Sequence, residues 1–463
     1  MSEPTAGIRA LEHVPLLETM LRRRSRRFAL GSTLDSEPLK YASRHAAVPL
    51  SLEEEAVIAF AGTGITGFSL GELPYAQGDN PLSGGGNIMV NQLARTIPSA
   101  DGVNSTTLFL LNDDGAFQIR RPQHYTKDAV PELVEKATRR AFTELYEGAR
   151  IRIADSRPEV PREPPYTPAF NIWSANIPGS TYCVLISETT TLALTVLFLA
   201  LSEEMGFFVY DERNGFKPAG LKPFARSKGG HLRDDPNELR FGTVGNFESY
   251  IMELMGVEQG LMIQNIQLAT EALGLGSFPH YGAQPWSWFE ALGFRMEHWP
   301  LSRLMAAGPA KAKLMSMVKK NPTMPVPVGI EVDGEPTIKP YSPPYYESME
   351  AAVHAFVDAK FAEGKGIFRD GSDVSAWADP ATVQRTVPSY TQKNIDAVVA
   401  YCEYVYGRYG RFLGNFGPFR NLMAMQVHHV DTEFYDRFYR PGTYHDAHRD
   451  HFATWHGESR PSS

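Results

Sequence analysis

The stretch GVEQGLMIQNIQLATEALGLGS, residues 256–277, decides the fold class. Its apolar residues Leu261, Ile263, Ile266, Leu268, Ala269 and Leu273 fall at helical spacing, the mark of a core helix. Glycines at 274 and 276 end that helix, because glycine enters the left-handed conformation without a steric cost. Upstream, STTLFLLNDDGAFQIRR carries two strand-like runs around NDDG and predicts an antiparallel hairpin. TYCVLIS at 181–187 reads as a buried strand and TLALTVLFLAL from Thr191 as a buried helix. Helices interleaved with hairpin strands give the α+β class.

Working outward, residues 11–28 and 129–147 show helical periodicity. SLEEEAVIAFAGTGITGF adds a helix that Ser51 can cap, with Glu53 to Glu55 suited to its positive end. Residues 69–88, rich in Gly, Pro and Asn, predict a loop, and SGGG at 83–86 belongs to it rather than to a phosphate cradle. GFKPAGLKPFARSKGGHLRDD, residues 215–235, is basic without a sustained apolar face and predicts an exposed loop or lid. The proline-rich stretch 322–344 sets a boundary: a main domain over 1–345, then a C-terminal helical extension over 346–463 with helices near 347–362, 391–409 and 418–439.

A chain of 463 residues exceeds the size at which one core stops growing, so a large domain with an extension is expected. The formal charge of −8 argues against general nucleic-acid binding, and the longest apolar stretch falls short of a bilayer span. Two cysteines make neither a disulfide framework nor a multi-cysteine metal site. The N-terminal sequence lacks the order of a signal peptide, so a cytoplasmic location is expected.

Against this acidic background, Arg22, Arg23, Arg24, Arg26 and Arg27 crowd around Ser25. Guanidinium groups bind phosphate bidentately and a hydroxyl adds a neutral donor, a composition suited to a phosphate monoester. LARTIPSADGVNSTTLFLL leads a Pro-Ser turn into a strand, and MPVPVGIEVDGEPTIKP brings a strand to Lys339, a second candidate phosphate partner. No GxSxG elbow, Walker A loop, HExxH or CxxC points to other chemistry.

In this order, RRRSRRF, PSADGVNS, QNIQLATEALGLGS and VPVGI followed by a basic residue resemble the nitroreductase-like flavoprotein superfamily over roughly residues 11–345. ARTIPSADG is also similar to the branch of SagB-type dehydrogenases. The resemblance implies a central, mostly antiparallel sheet flanked by helices, FMN as cofactor, and a homodimer. It implies that Arg23, Arg24, Ser25 and Arg27 bind the FMN phosphate, that Pro98, Ser99 and Asn104 reach the flavin from the partner subunit, and that Gly274, Gly276 and Ser277 lie by its ring. The chemistry implied is a ping-pong transfer of electrons from NADH or NADPH through FMN to a small organic acceptor, with no catalytic side chain required. The alternatives are a SagB-like dehydrogenase that oxidises its substrate and a non-catalytic flavin-binding or scaffold protein.

Two further features stand apart. His280 and Tyr281 follow the glycine-ended helix and are candidate substrate contacts by position, within an aromatic run that otherwise reads as core. Six of the thirteen histidines lie after residue 427. His428 with Asp431, and His445 with His448, have a spacing that a metal could use on a helix. Histidines among Asp and Arg near a terminus suggest surface salt bridges instead, and no metal is expected.

Overall fold

A computed structural model describes residues 4–71, 86–280 and 285–457. The expected hairpin forms strands β1 (Thr106–Asn112) and β2 (Gly115–Ile119), with Asn112 opposite Gly115 across the turn. They join β3 (Arg150–Ala154), β4 (Thr181–Glu188), β5 (Gly276–His280), the short β6 (Phe419–Arg420) and β7 (Ala424–His428) in one seven-stranded sheet. The strand order is β5-β7-β4-β1-β2-β3, with β6 also paired to β4, and every pairing is antiparallel.

Alternation along β1 assigns its two faces. Leu108 and Leu110 point into a core shared with helix α2 (Leu52–Thr63) and helix α4 (Val244–Leu273), whereas Phe109 and Leu111 meet Trp288, Phe289, Leu292 and Ile330 on the other side. All four β1 side chains are fully buried, each contributing about 1.5–3 kcal/mol relative to exposure. Ser51 caps α2 in a reciprocal capping box with Glu54, and Gly274 ends α4 at φ 82°. Helix α1 (Leu16–Arg22) stops where the arginine run begins.

A second core gathers α3 (Thr190–Ala200), the first half of α4, α5 (Met349–Phe361) and α6 (Gln392–Tyr409). The strand Thr323–Val332, expected from VPVGI, lies in a separate three-stranded antiparallel sheet. No helix among the described residues is long and apolar enough to cross a membrane.

The chain beyond 345 differs from the helical extension expected. Residues 418–439 hold β6, β7 and only one short helix, Thr432–Phe438. β7 lies between β5 and β4, in the interior of the sheet. AMQVH carries no long helical period, and a buried strand with neighbours on both edges needs apolar residues on both faces. Residues 215–235 also depart from a free loop. Ala219, Leu221, Ala225 and Leu232 are buried, and a Cβ on Gly220 would lie 2.3 Å from the Ala400 carbonyl, so this segment is packed against α6. Its buried residues are spaced by turns rather than by a helix or strand period, which hides them from sequence patterning. The SGGG stretch expected as loop falls almost wholly outside the described residues.

Candidate functional site

Helix α4 separates the residues singled out in the sequence into two groups. Glu258 and Glu271 are thirteen residues apart along it, about 20 Å at 1.5 Å per residue, and each anchors one group.

At Glu271, near the C-terminal end, the arginine run meets the glycine-ended helix. Buried Arg26 places Nη1 2.7 Å from the Glu271 carboxylate and donates through Nε to the Thr443 carbonyl. Its backbone N–H donates to Ser277 O at 3.1 Å. Arg27 donates to Asn171, Ser174 and the Phe170 carbonyl and lies 4.9 Å from the rings of Trp173 and Phe278. Both guanidinium groups are thus engaged by the chain itself. Arg24 and Ser25 are exposed and Arg23 is half-buried, with Arg24 Nη1 donating to the Leu21 and Arg23 carbonyls.

The structure therefore brings Arg23, Arg24, Ser25 and Arg27 beside Gly274, Gly276 and Ser277. The glycine faces, however, are already filled. A Cβ on Gly274 would lie 2.1 Å from the Ala447 carbonyl, and one on Gly276 2.8 Å from His428 Nε2. Ser277 Oγ is 3.0 Å from Thr270 Oγ1. A flat ring has no room against these glycines within the chain.

Around Glu258 the Pro-Ser turn is fixed from beneath. The buried carboxylate accepts from Arg95 Nη2 at 2.5 Å, from Ser99 Oγ at 2.7 Å and from Thr106 N–H at 2.7 Å. Ser99 Oγ accepts in turn from Asn104 N–H at 2.7 Å. Asp101, Gly102 and Asn104 all have positive φ, between 49° and 65°. Two non-glycine residues in the left-handed region within one turn store strain. The Glu258 bonds hold that geometry. Pro98 is exposed, while Asn104 is buried with its amide on the Gly102 carbonyl.

Beside this turn opens a pocket of about 380 Å3. Val103 from the turn lines it, together with five cationic side chains, Arg121, Lys127, Lys339, Lys360 and Lys365, and a single carboxylate, Asp370. Asp370 is committed to Lys127 at 2.6 Å. Lys339 Nζ lies 4.3 Å from the Tyr346 ring. Lys360 Nζ donates to Tyr390 Oη and the Asn87 carbonyl. Burial brings Lys360 down to about 7, opposed by the charge of Asp101. Arg121 is buried, forms no ion pair among the described residues, and leaves Nε without a hydrogen-bond partner there. Its guanidinium is held down to about 10, by burial first and with Glu188 opposing. His124, whose Nδ1 accepts from Arg121 N–H, is pushed down to about 3 by burial and then by Arg121. A buried arginine with no carboxylate in direct contact is costly, and an anion in the pocket would relieve that cost.

Of the pocket residues, sequence reading found only Lys339. Lys360 carried a signal: Met349, Ala352, Val353, Phe356 and Lys360 share the buried face of α5, so a lysine occupies a core position of an amphipathic helix. Arg121 carried none beyond its place after a strand.

His280 is buried, with Nε2 2.8 Å from Tyr182 Oη and Nδ1 3.4 Å from Asn171 Nδ2, inside the aromatic packing of Tyr182 on Trp288. Tyr281 lies outside the described residues. The C-terminal histidines differ from a surface cluster: β7 draws His428 and His429 into the core, and His448 and His451 are buried against the end of α4. His428 and Asp431 do not pair. Asp431 instead accepts from Ser43 Oγ and caps the helix that follows.

No family model matches the chain, and no curated protein matches it. Among solved structures the chain is similar to one described as a "putative nitroreductase" from Ralstonia eutropha JMP134, at 12% identity over 60% of this chain and 75% of that one, with a TM-score of 0.28.

Proposed function

We propose that the chain is an FMN-dependent oxidoreductase that binds the phosphate of the cofactor in the basic pocket and the flavin ring beside the Pro-Ser turn. The observation that carries this reading is Arg121, a buried guanidinium that forms no ion pair among the described residues, in a pocket that also holds Lys339 and Lys360. A phosphate monoester offers the charge and the acceptor oxygens that these side chains lack. This reading moves the phosphate from half-buried Arg23 and exposed Arg24 and Ser25 to Arg121 and Lys339. FMN, when bound, supplies hydride transfer, with NADH or NADPH as donor and a small organic acceptor completing a ping-pong cycle.

The chain's own residues supply binding and position. Arg121 and Lys339 neutralise the phosphate, Lys360 adds a charge that neutral pH titrates, and Glu258 rigidifies the turn through Ser99 and Thr106. We propose further that the protein is a homodimer. In support, Leu16, Leu17, Met20 and Leu21 on α1 and Tyr250, Val257 and Leu261 along α4 are exposed apolar side chains of the kind that interfaces cover.

The absorption spectrum of the purified protein tests the cofactor. A flavin spectrum, release of FMN on denaturation and bleaching by a reduced nicotinamide are expected. A colourless protein that cannot be reconstituted with FMN overturns the reading; bleaching by substrate alone would turn it toward a dehydrogenase.

A further inference from the structure

Away from the basic pocket, Glu54 at the start of α2 is buried and faces three imidazoles. His451 Nε2 is 2.6 Å from Glu54 Oε1, His456 Nε2 is 3.4 Å from the same oxygen, and His429 Nε2 is 3.9 Å from Oε2. One ligand atom from each of the four residues lies within 4.8 Å of the others. Imidazole nitrogen and carboxylate oxygen bind zinc at about 2.0–2.2 Å, so tetrahedral ligands sit a little over 3 Å apart. The cluster needs only small shifts to reach that spacing.

The hydrogen bonds around the cluster orient it. His451 Nδ1 lies 2.9 Å from the Leu273 carbonyl, an acceptor only, so Nδ1 carries the proton. Nε2 then faces a carboxylate oxygen 2.6 Å away, and a cation, either a proton or a metal ion, is shared between the two atoms. A second bond that fixes the tautomer is the usual companion of a metal-ligating histidine. Glu54 is likewise held, since its Oε2 accepts from Ser51 N–H at 2.6 Å in the capping box. His429 Nε2 lies 3.4 Å from the Pro49 carbonyl, and its Nδ1 is buried without a hydrogen-bond partner among the described residues.

The other histidine cluster provides the contrast. Glu271 also meets His445 and His448, but Arg26 already neutralises that carboxylate at 2.7 Å. Glu54 pairs with no lysine or arginine among the described residues. The Glu271 carboxylate thus already has its cation in Arg26, whereas the Glu54 carboxylate has no such side chain among the described residues.

We propose that Glu54, His429, His451 and His456 bind one divalent first-row transition-metal ion, and that this ion clamps the C-terminal segment onto α2. Four protein ligands make a closed site of the structural kind. The ligands come from the first helix of the sheet layer, from the residue after β7, and from α7 (His451–Trp455) with the residue that follows it. Trp455, between the last two ligands, packs on the helix Ala6–Glu12 that precedes α1: a Cβ on Gly7 would lie 2.3 Å from its ring. The ion thus joins segments almost four hundred residues apart in the chain.

The test uses full-length protein prepared without an affinity tag, stripped by a chelator and titrated with zinc chloride against a chromophoric chelator. One zinc per chain with submicromolar affinity is expected, together with a rise of several degrees in Tm. Cobalt in its place should give the visible bands of a tetrahedral site. Glu54→Gln keeps the capping bond, which glutamine also makes, and should weaken zinc binding at least tenfold with little change in the melting of the stripped protein. Wild type that takes up no zinc, or whose melting ignores both zinc and chelator, overturns the proposal even if variants do not fold. Equal zinc uptake by the His451→Ala, His456→Ala double variant also overturns it.

Discussion

Replacing Arg121 with methionine should move stability and cofactor affinity in opposite directions. The side chain is buried without an ion pair, and its depression to about 10 corresponds to roughly 3 kcal/mol of charge-burial cost. Methionine fills a similar volume without charge, so the flavin-free protein should gain about 1–3 kcal/mol of unfolding free energy, read from urea melts. FMN loses one or more charge-assisted bonds of about 1.5–3 kcal/mol each. Its Kd should therefore rise by roughly tenfold to a hundredfold. Riboflavin has the same ring and no phosphate, so its weaker binding should hardly change. Arg24→Ala, which alters an exposed side chain, should leave both ligands close to wild type. Titrations of flavin fluorescence in the stripped proteins decide the matter. Equal losses for FMN and riboflavin in Arg121→Met, or the larger FMN loss in Arg24→Ala, would refute the phosphate assignment.

Lys360 sets a pH dependence. Its folded value of about 7 lies below that of an unfolded lysine, so between pH 7 and about 10 the unfolded chain binds more protons and stability rises with pH. The slope should approach roughly 1.4 kcal/mol per pH unit just above pH 8, and a flat profile in Lys360→Met measured by urea melts at pH 7 and 9 attributes it to this group. Gly276→Ala pushes a methyl toward His428 and Val430, each 2.8 Å away, and should cost about 1–3 kcal/mol of stability in the same assay. A neutral result would mean that this face is open to a ligand after all. Light scattering should give about twice the 51.5 kDa chain mass, and the pair Leu17→Glu with Val257→Glu should yield a folded monomer; a wild-type monomer contradicts the dimer.

The sequence determined the local elements, because their signals are local. Ser51 with Glu54 announced the start of α2, NDDG the hairpin of β1 and β2, and Gly274 the end of α4, each through backbone geometry that only a few residue types satisfy. It also marked Arg23 to Arg27, Ser99 and Lys339 as polar residues in need of an explanation, without showing which of them meet. Tertiary structure decided that. It placed β7 inside the sheet, which buried histidines that their polar neighbours had suggested were superficial. It put Arg26 on Glu271 and Ser99 on Glu258, at two stations on a single helix. It gathered Glu54 with His429, His451 and His456 from opposite ends of the chain. Contacts of this kind depend on strand order and on which face each strand presents, and neither leaves a periodic trace in the sequence.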